Sequence, residues 1–187
     1  MLRNAVLAIA ASSVFLVSAT DVNACLNAVQ LETKEATKLV AKVEATLDEG
    51  RPKRAFYLIP ENPKIADRKL GERLQLLTAV ARLRIGHVSI ALSTLQFQYK
   101  QRPDDPYTIA RLAEAQTAAK KDLDKALVLL TDLEKRDVMP DAEGWATLAR
   151  LYDQKADSVS RDRALRRCKQ IAKRTEVCAI HSKVVMR

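Results

Sequence analysis

Apolar residues recur every three or four positions along most of this chain, a spacing that places them on one face of an α-helix. The recurrences fall between Lys34 and Arg174 and are separated by short polar breaks. Glycines and prolines mark these breaks, and they are Gly50, Pro52, Pro60, Pro63, Gly86, Pro103, Pro106 and Pro140. Because glycine commonly ends a helix and proline commonly begins one, the pattern predicts an all-α chain of four helical hairpins.

The composition agrees with a folded helical protein. Apolar residues make up 48% of the 187 positions and charged residues 29%, a balance typical of chains that bury a core. Only 4 Gly and 6 Pro are present, which is few for the many tight turns of a β-rich architecture. We therefore expect helices and not strands.

The second helix of each predicted hairpin carries a small residue at a nearly constant interval. Ala55, Ala91, Ala126 and Ala164 are separated by 36, 35 and 38 residues. A small side chain at this position would let the second helix approach the first closely. Four stacked repeats would explain the interval, and an ordinary helical bundle is the alternative.

The fourth hairpin carries the most specific motif in the chain. Trp145, Leu148, Ala149 and Tyr152 share one helix face, and Ala164 follows on the next helix. This order resembles the tetratricopeptide repeat (TPR), whose unit of about 34 residues reads W-x2-L-G-x2-Y followed by a helix with a central Ala. The resemblance implies a right-handed solenoid of about four TPR-like units over residues 34–174.

The same resemblance implies where a partner would bind. TPR proteins generally bind other proteins on the concave surface that their first helices line, and they rarely catalyse reactions. Placing Leu74, Ile109 and Trp145 at equivalent positions puts eight residues near that surface: Gln75, Arg82, Tyr107, Glu114, Thr117, Glu143, Arg150 and Asp153. The expected partner is an unidentified protein or peptide. The alternative is that these are ordinary exposed helix residues.

The N-terminus is typical of a secretory signal peptide. Arg3 precedes an uncharged, mostly apolar stretch over residues 5–19, and small residues at Val22 and Ala24 suit a signal peptidase. The stretch of 15 residues is shorter than the roughly 20 that cross a bilayer as a helix. We therefore predict a signal peptide over residues 1–24 and a linker over residues 25–33 before the repeats, in a protein exported to the periplasm.

The three cysteines allow two further predictions. Cys25 follows directly after the predicted cleavage site, and Val22-Asn23-Ala24-Cys25 resembles a bacterial lipobox, although Asn23 departs from the usual small or hydroxyl residue. The resemblance implies lipidation of Cys25 and an outer-membrane anchor, and ordinary cleavage after Ala24 or Ala19 is the alternative. Cys168 and Cys178 are either a disulfide pair, which an exported protein can form, or two unpaired thiols.

Positive charge is concentrated at the C-terminal end. The net charge is +9, and residues 161–187 hold nine basic and two acidic residues, which account for +7 of it. The predicted basic patch comprises Arg163, Arg166, Arg167, Lys169, Lys173 and Arg174, followed by a basic tail over residues 175–187. Such an end could bind anionic envelope lipid or polymer, or it could simply keep the last helix soluble. No aromatic residues interleave the basic ones, so nucleic acid is not an expected partner.

The sequence offers no constellation typical of an enzyme. His87 and His181 stand alone, without a nucleophile, carboxylate or metal ligand at a useful spacing, and the four glycines form no phosphate-binding loop. We therefore expect no catalytic residues, metal or cofactor. The preferred hypothesis is a non-enzymatic protein–protein interaction adaptor of the bacterial cell envelope.

Overall fold

The computed structural model describes residues 20–60 and 65–179. These residues form eight α-helices and one 3-10 helix, and the described ranges contain no strand, so the all-α prediction is confirmed. The helices are α1 (Thr20–Asp48), α2 (Pro52–Leu58), α3 (Arg68–Arg84), α4 (Val88–Gln101), α5 (Pro106–Ala119), α6 (Leu123–Lys135), α7 (Ala142–Gln154) and α8 (Ser158–Ile171). The 3-10 helix spans Thr175–Cys178.

Aspartate side chains begin four of the helices. Asp67, Asp105, Asp141 and Asp157 each accept a hydrogen bond from the backbone N–H three residues later, at 2.8–3.0 Å. Each such cap satisfies an N–H group that the helix cannot pair internally, and stabilises the helix by about 1 kcal/mol.

The first helix of every hairpin ends in the same backbone turn. At the ends of α1, α3, α5 and α7, one residue takes a left-handed conformation: Gly50, Gly86, Lys120 and Ala156, with φ between +53° and +96°. In each turn this residue and the next donate backbone hydrogen bonds three and five residues back, which is the Schellman arrangement. The four turns are 36, 34 and 36 residues apart.

The first helices of successive hairpins pack against one another. Each helix contacts the next one along the chain, and α1, α3, α5 and α7 also contact one another in that order. Within the described residues, α2, α4 and α6 contact only the helices that precede and follow them. We call α1, α3, α5 and α7 the central row.

The four periodic alanines lie where helices meet, and all four are fully buried. Trp145 is also buried, in a cluster with Leu148 and Tyr152 of its own helix and with Ala164 and Cys168 of α8. Two further clusters join α1 to α3 and α3 to α5, so apolar contact continues along the central row.

The structure differs from the sequence prediction at one point near the N-terminus. α1 includes residues 25–33, which the sequence predicted as a linker, so these residues are helical and Cys25 lies within this helix. The predicted signal peptide lies outside the described residues up to position 19, as do residues 180–187 of the predicted tail, with His181. In the part of the chain that the structure describes, no helix combines the length and apolar character needed to cross a membrane.

Candidate functional site

A groove of about 530 Å³ lies along the central row. Its walls are formed by the C-terminal end of α3, one side of α5, one side of α7, and the segment that follows α8. We call this cavity the central groove. Four of the eight predicted partner-binding residues line it: Glu114, Thr117, Glu143 and Arg150.

The other four predicted residues do not line the groove. Gln75 accepts a hydrogen bond from the side chain of Gln98 at 3.1 Å, and Asp153 forms an ion pair with Arg161 at 3.1 Å. The guanidinium of Arg82 lies 5.8 Å from the ring centre of Phe56.

Tyr107, the last of these four, stacks against two guanidinium groups. Arg73 lies 4.3 Å from its ring centre and Arg111 lies 5.1 Å from it. Burial raises the pKa of the Tyr107 hydroxyl and outweighs the opposing effect of both arginines, so the ring stays neutral at physiological pH. A neutral ring between two cations helps to fix their positions.

A chain of ion pairs runs from the start of α7 into the groove. Arg111 of α5 is fully buried and binds Asp141 on one side and Glu114 on the other. Glu114 also lies 3.5 Å from Arg84 of α3, and Arg84 lies 3.4 Å from Glu143 of α7. These contacts join three helices of the central row through charged side chains.

The chain of ion pairs continues into the C-terminal segment. Arg174 lies 3.8 Å from Glu143 and 3.2 Å from Glu176. Acidic and basic groups therefore alternate without a break from Asp141 to Glu176. Arg150, which also faces the groove, takes part in none of the ion pairs among the described residues.

The buried members of this chain keep their charges. Burial alone would lower the pKa of Arg111, but Asp141 and Glu114 outweigh that effect and hold the pKa above its ordinary value. Burial would likewise raise the pKa of Glu114, but Arg111, Arg84 and Arg150 hold it below 4.5. At neutral pH the groove therefore presents fixed charges of both signs beside apolar surface from Leu83, Val88, Ala146 and Val177.

The segment after α8 folds back onto the central row. A disulfide joins Cys168 of α8 to Cys178, with 5.9 Å between their Cα atoms. Lys173 binds Asp48 at the end of α1, at 2.7 Å. Arg174 lies against Gly50, where an added Cβ would collide with the guanidinium. The segment thus reaches from the last hairpin to the first.

Most of the predicted basic patch is paired within the protein. Arg163 binds Glu134 at 2.9 Å, and Arg167 binds Asp137 at 2.6 Å while its guanidinium lies 5.3 Å from the Trp145 ring. Lys173 and Arg174 are the two residues of the patch that bind α1 and α7. Arg166 and Lys169 are exposed and have no ion pair among the residues described. The patch therefore offers fewer free charges than its sequence indicates.

Sequence reasoning assigned no role to Arg84 or Arg111. A usable signal exists for Arg111, because it stands in the otherwise apolar run Ile109-Ala-Arg-Leu-Ala113, where a buried charge needs partners. Arg84 lies on a half-polar face near the end of α3, and nothing in its local sequence distinguishes it.

Comparisons of the chain with protein-family models, with curated proteins and with solved structures find no match. The central groove, its charges and the packing of the helices are therefore the observations from which a function can be argued.

Proposed function

We propose that this chain is a non-enzymatic adaptor of the bacterial cell envelope, built from about four TPR-like units, that binds a polypeptide in the central groove. Binding would be the docking of a partner segment between fixed walls. The observation that carries the proposal is the groove itself, because the first helices of successive hairpins line it. That is the surface to which the TPR resemblance assigns partner binding.

The repetition of local structure supports the TPR-like part of the proposal. Schellman turns recur at 36, 34 and 36 residues, close to the TPR unit of about 34. The periodic alanines are fully buried, and the first helices contact one another in sequence order. These are features expected of hairpins that stack in one direction, since no hairpin can bury its apolar face alone.

The chemistry of the groove suits a polypeptide. Its walls alternate charged side chains with apolar surface, and peptides offer both kinds of group along an extended chain. The groove is also held in shape before binding, because the Arg111 ion pairs connect α5 to α7. A rigid site loses less conformational entropy when a ligand binds.

The proposed localisation rests on the N-terminal sequence. A charged start, an apolar stretch and small residues before Cys25 favour export to the periplasm, with a lipid on Cys25 as the proposed anchor. The disulfide between Cys168 and Cys178 is compatible with an oxidising compartment.

Site-specific photo-crosslinking in living cells tests the proposal. A photoreactive residue replaces Thr117 in the groove, and the control places it at Ser93, which is exposed on α4. We expect a discrete polypeptide adduct from position 117 only. Arg150→Glu should change the yield of that adduct, because it reverses a charge that lines the groove, whereas Arg166→Glu on α8 should not. An adduct whose yield is the same in Arg150→Glu as in the wild type, or that forms equally at both positions, would refute groove binding.

Electrostatic binding of anionic envelope lipid or polymer is the alternative, and it has less support. Four of the six basic-patch residues are already engaged with carboxylates of the same chain. Binding to anionic vesicles that falls steeply with salt and disappears in Arg166→Glu, Lys169→Glu would favour this alternative.

A further inference from the structure

The segment from Ala172 to Ala179 lies along the central groove instead of leading away from α8. Arg174, Glu176 and Val177 form one wall of the cavity. The space of about 530 Å³ is therefore what remains of a wider groove once this segment is in place. A piece of polypeptide already occupies the surface on which we place the partner.

The charges explain why this segment fits. The guanidinium of Arg84 forms ion pairs with both Glu114 and Glu143, at 3.5 and 3.4 Å. Glu143 therefore shares its ion-pair partner on the helices with Glu114, and Arg174 adds a second guanidinium from the segment. Without Arg174, the shared guanidinium of Arg84 would be the remaining ion-pair partner of Glu143 among the described residues.

The ion pairs that Lys173 and Arg174 form with the helices are weak. The ion pair between Lys173 and Asp48 is solvent-exposed, with 77% and 58% of the two side chains accessible, and such pairs contribute little. Arg174 and Glu143 are 3.8 Å apart, which is a long contact for an ion pair. The stronger restraints are the disulfide, the burial of Cys178, and the packing of Ala172 and Val177 against the apolar cluster that contains Trp145.

We propose that the segment 172–179 is an intramolecular ligand of the central groove, and that a partner polypeptide binds by placing an arginine or lysine side chain at Glu143 in place of Arg174. This inference rests on the proposed function, since it identifies the chemistry of the partner for the same groove. The partner segment is basic at the position that contacts Glu143 and carries an apolar residue for the space held by Val177.

The segment itself supplies the probe. A synthetic peptide with the sequence of residues 172–179, with serine for Cys178, competes with its own copy in the intact chain. A tethered segment has an effective concentration in the millimolar range, so the wild-type chain should bind the free peptide at least about tenfold more weakly than a chain whose segment is released. The released chain is the double variant Arg174→Ala, Cys178→Ser, and binding is followed by NMR titration.

Three controls separate the contact at Glu143 from other effects. Arg166→Ala, Cys178→Ser loses the same disulfide and an unpaired arginine but keeps Arg174, so it should bind the peptide more weakly than the released chain. Adding Glu143→Gln to the released chain, or replacing the arginine of the peptide by alanine, should abolish binding. Equal binding by the released chain, the wild type and the Arg166 control would overturn the inference.

A second measurement keeps the disulfide intact in case the serine variants do not fold. In Arg174→Glu, repulsion from Glu143 should increase amide hydrogen exchange over residues 173–177 by about tenfold, and Arg166→Glu should not change it. Unchanged exchange in Arg174→Glu would overturn the inference.

The adaptor function is tested separately by the photo-crosslinking experiment. A partner that is crosslinked at Thr117 with equal yield in the wild-type and released chains would support the adaptor function. The same result would overturn the inference that the segment is an intramolecular ligand.

Discussion

The substitution Arg111→Met is the sharpest test of how the central row is held together. Methionine keeps much of the length of the side chain but removes the charge, which leaves Glu114 and Asp141 facing a buried apolar group. Removing one partner of a buried ion pair costs about 3–5 kcal/mol. We expect about 3 kcal/mol, the lower end of that range, because both carboxylates keep some solvent contact and Glu114 keeps Arg84.

Chemical denaturation followed by circular dichroism measures this loss. A domain of this size has a total stability of about 5–15 kcal/mol, so the variant should remain folded but unfold at clearly lower denaturant concentration. The melting temperature should fall by about 6–12 °C, since each kcal/mol shifts it by roughly 2–4 °C. Arg166→Met, at an exposed and unpaired position of α8, is the matched control and should change stability by less than about 0.5 kcal/mol.

The effect should also depend on pH. The pKa of Glu114 lies below its ordinary value of 4.5 in the folded chain, so its contribution is fully present above that pH and is lost as the pH falls through the lowered pKa. The stability difference between wild type and Arg111→Met should therefore be greatest near neutral pH and shrink in acid. Adding Glu114→Gln to the variant should recover about 1 kcal/mol, because a largely buried carboxylate that has lost one of its two ion pairs disappears.

Two results would refute this reasoning. Arg111→Met could be as stable as the wild type at neutral pH, which would mean that the ion pairs only offset the cost of burying the arginine. Alternatively, the difference in unfolding free energy could stay constant from neutral to acidic pH, which would mean that the loss comes from packing and not from charge.

Three further predictions concern the turns, the helix contacts and the disulfide. Ala156→Gly should raise the unfolding free energy by up to about 1 kcal/mol, because alanine holds a left-handed conformation there. Gly86→Ala should lower the unfolding free energy by a similar amount for the same reason. If both substitutions changed the unfolding free energy in the same direction, the reasoning would be contradicted. Ala126→Leu should destabilise the chain by about 1–3 kcal/mol in the same denaturation assay, because the site is fully buried, and a neutral effect would mean that the helices are not in close contact. Reducing the bond between Cys168 and Cys178 should speed tryptic cleavage after Lys173, and unchanged cleavage would show that other contacts hold the segment.

The positions of the helices could be predicted from the amino-acid order, because helix signals are local. Apolar spacing, aspartates such as Asp105 and prolines such as Pro106 act within one or two turns of their own position, and the structure begins α5 where these residues predict. The sequence also identified the periodic alanines as positions where helices come close together, and all of them are buried. The left-handed ends at Lys120 and Ala156 gave no such signal, because neither residue type favours that conformation.

The contacts that form the candidate site could not be predicted from the sequence, because they join residues far apart along the chain. The ion pair between Arg111 and Asp141 joins residues 30 positions apart, and the one between Lys173 and Asp48 joins residues 125 positions apart. Such contacts depend on how the hairpins stack and on where the chain returns after α8, and neither is encoded within a single turn of helix. The sequence could therefore identify Arg174 as a basic residue, but only the folded chain places it against Glu143 in the groove.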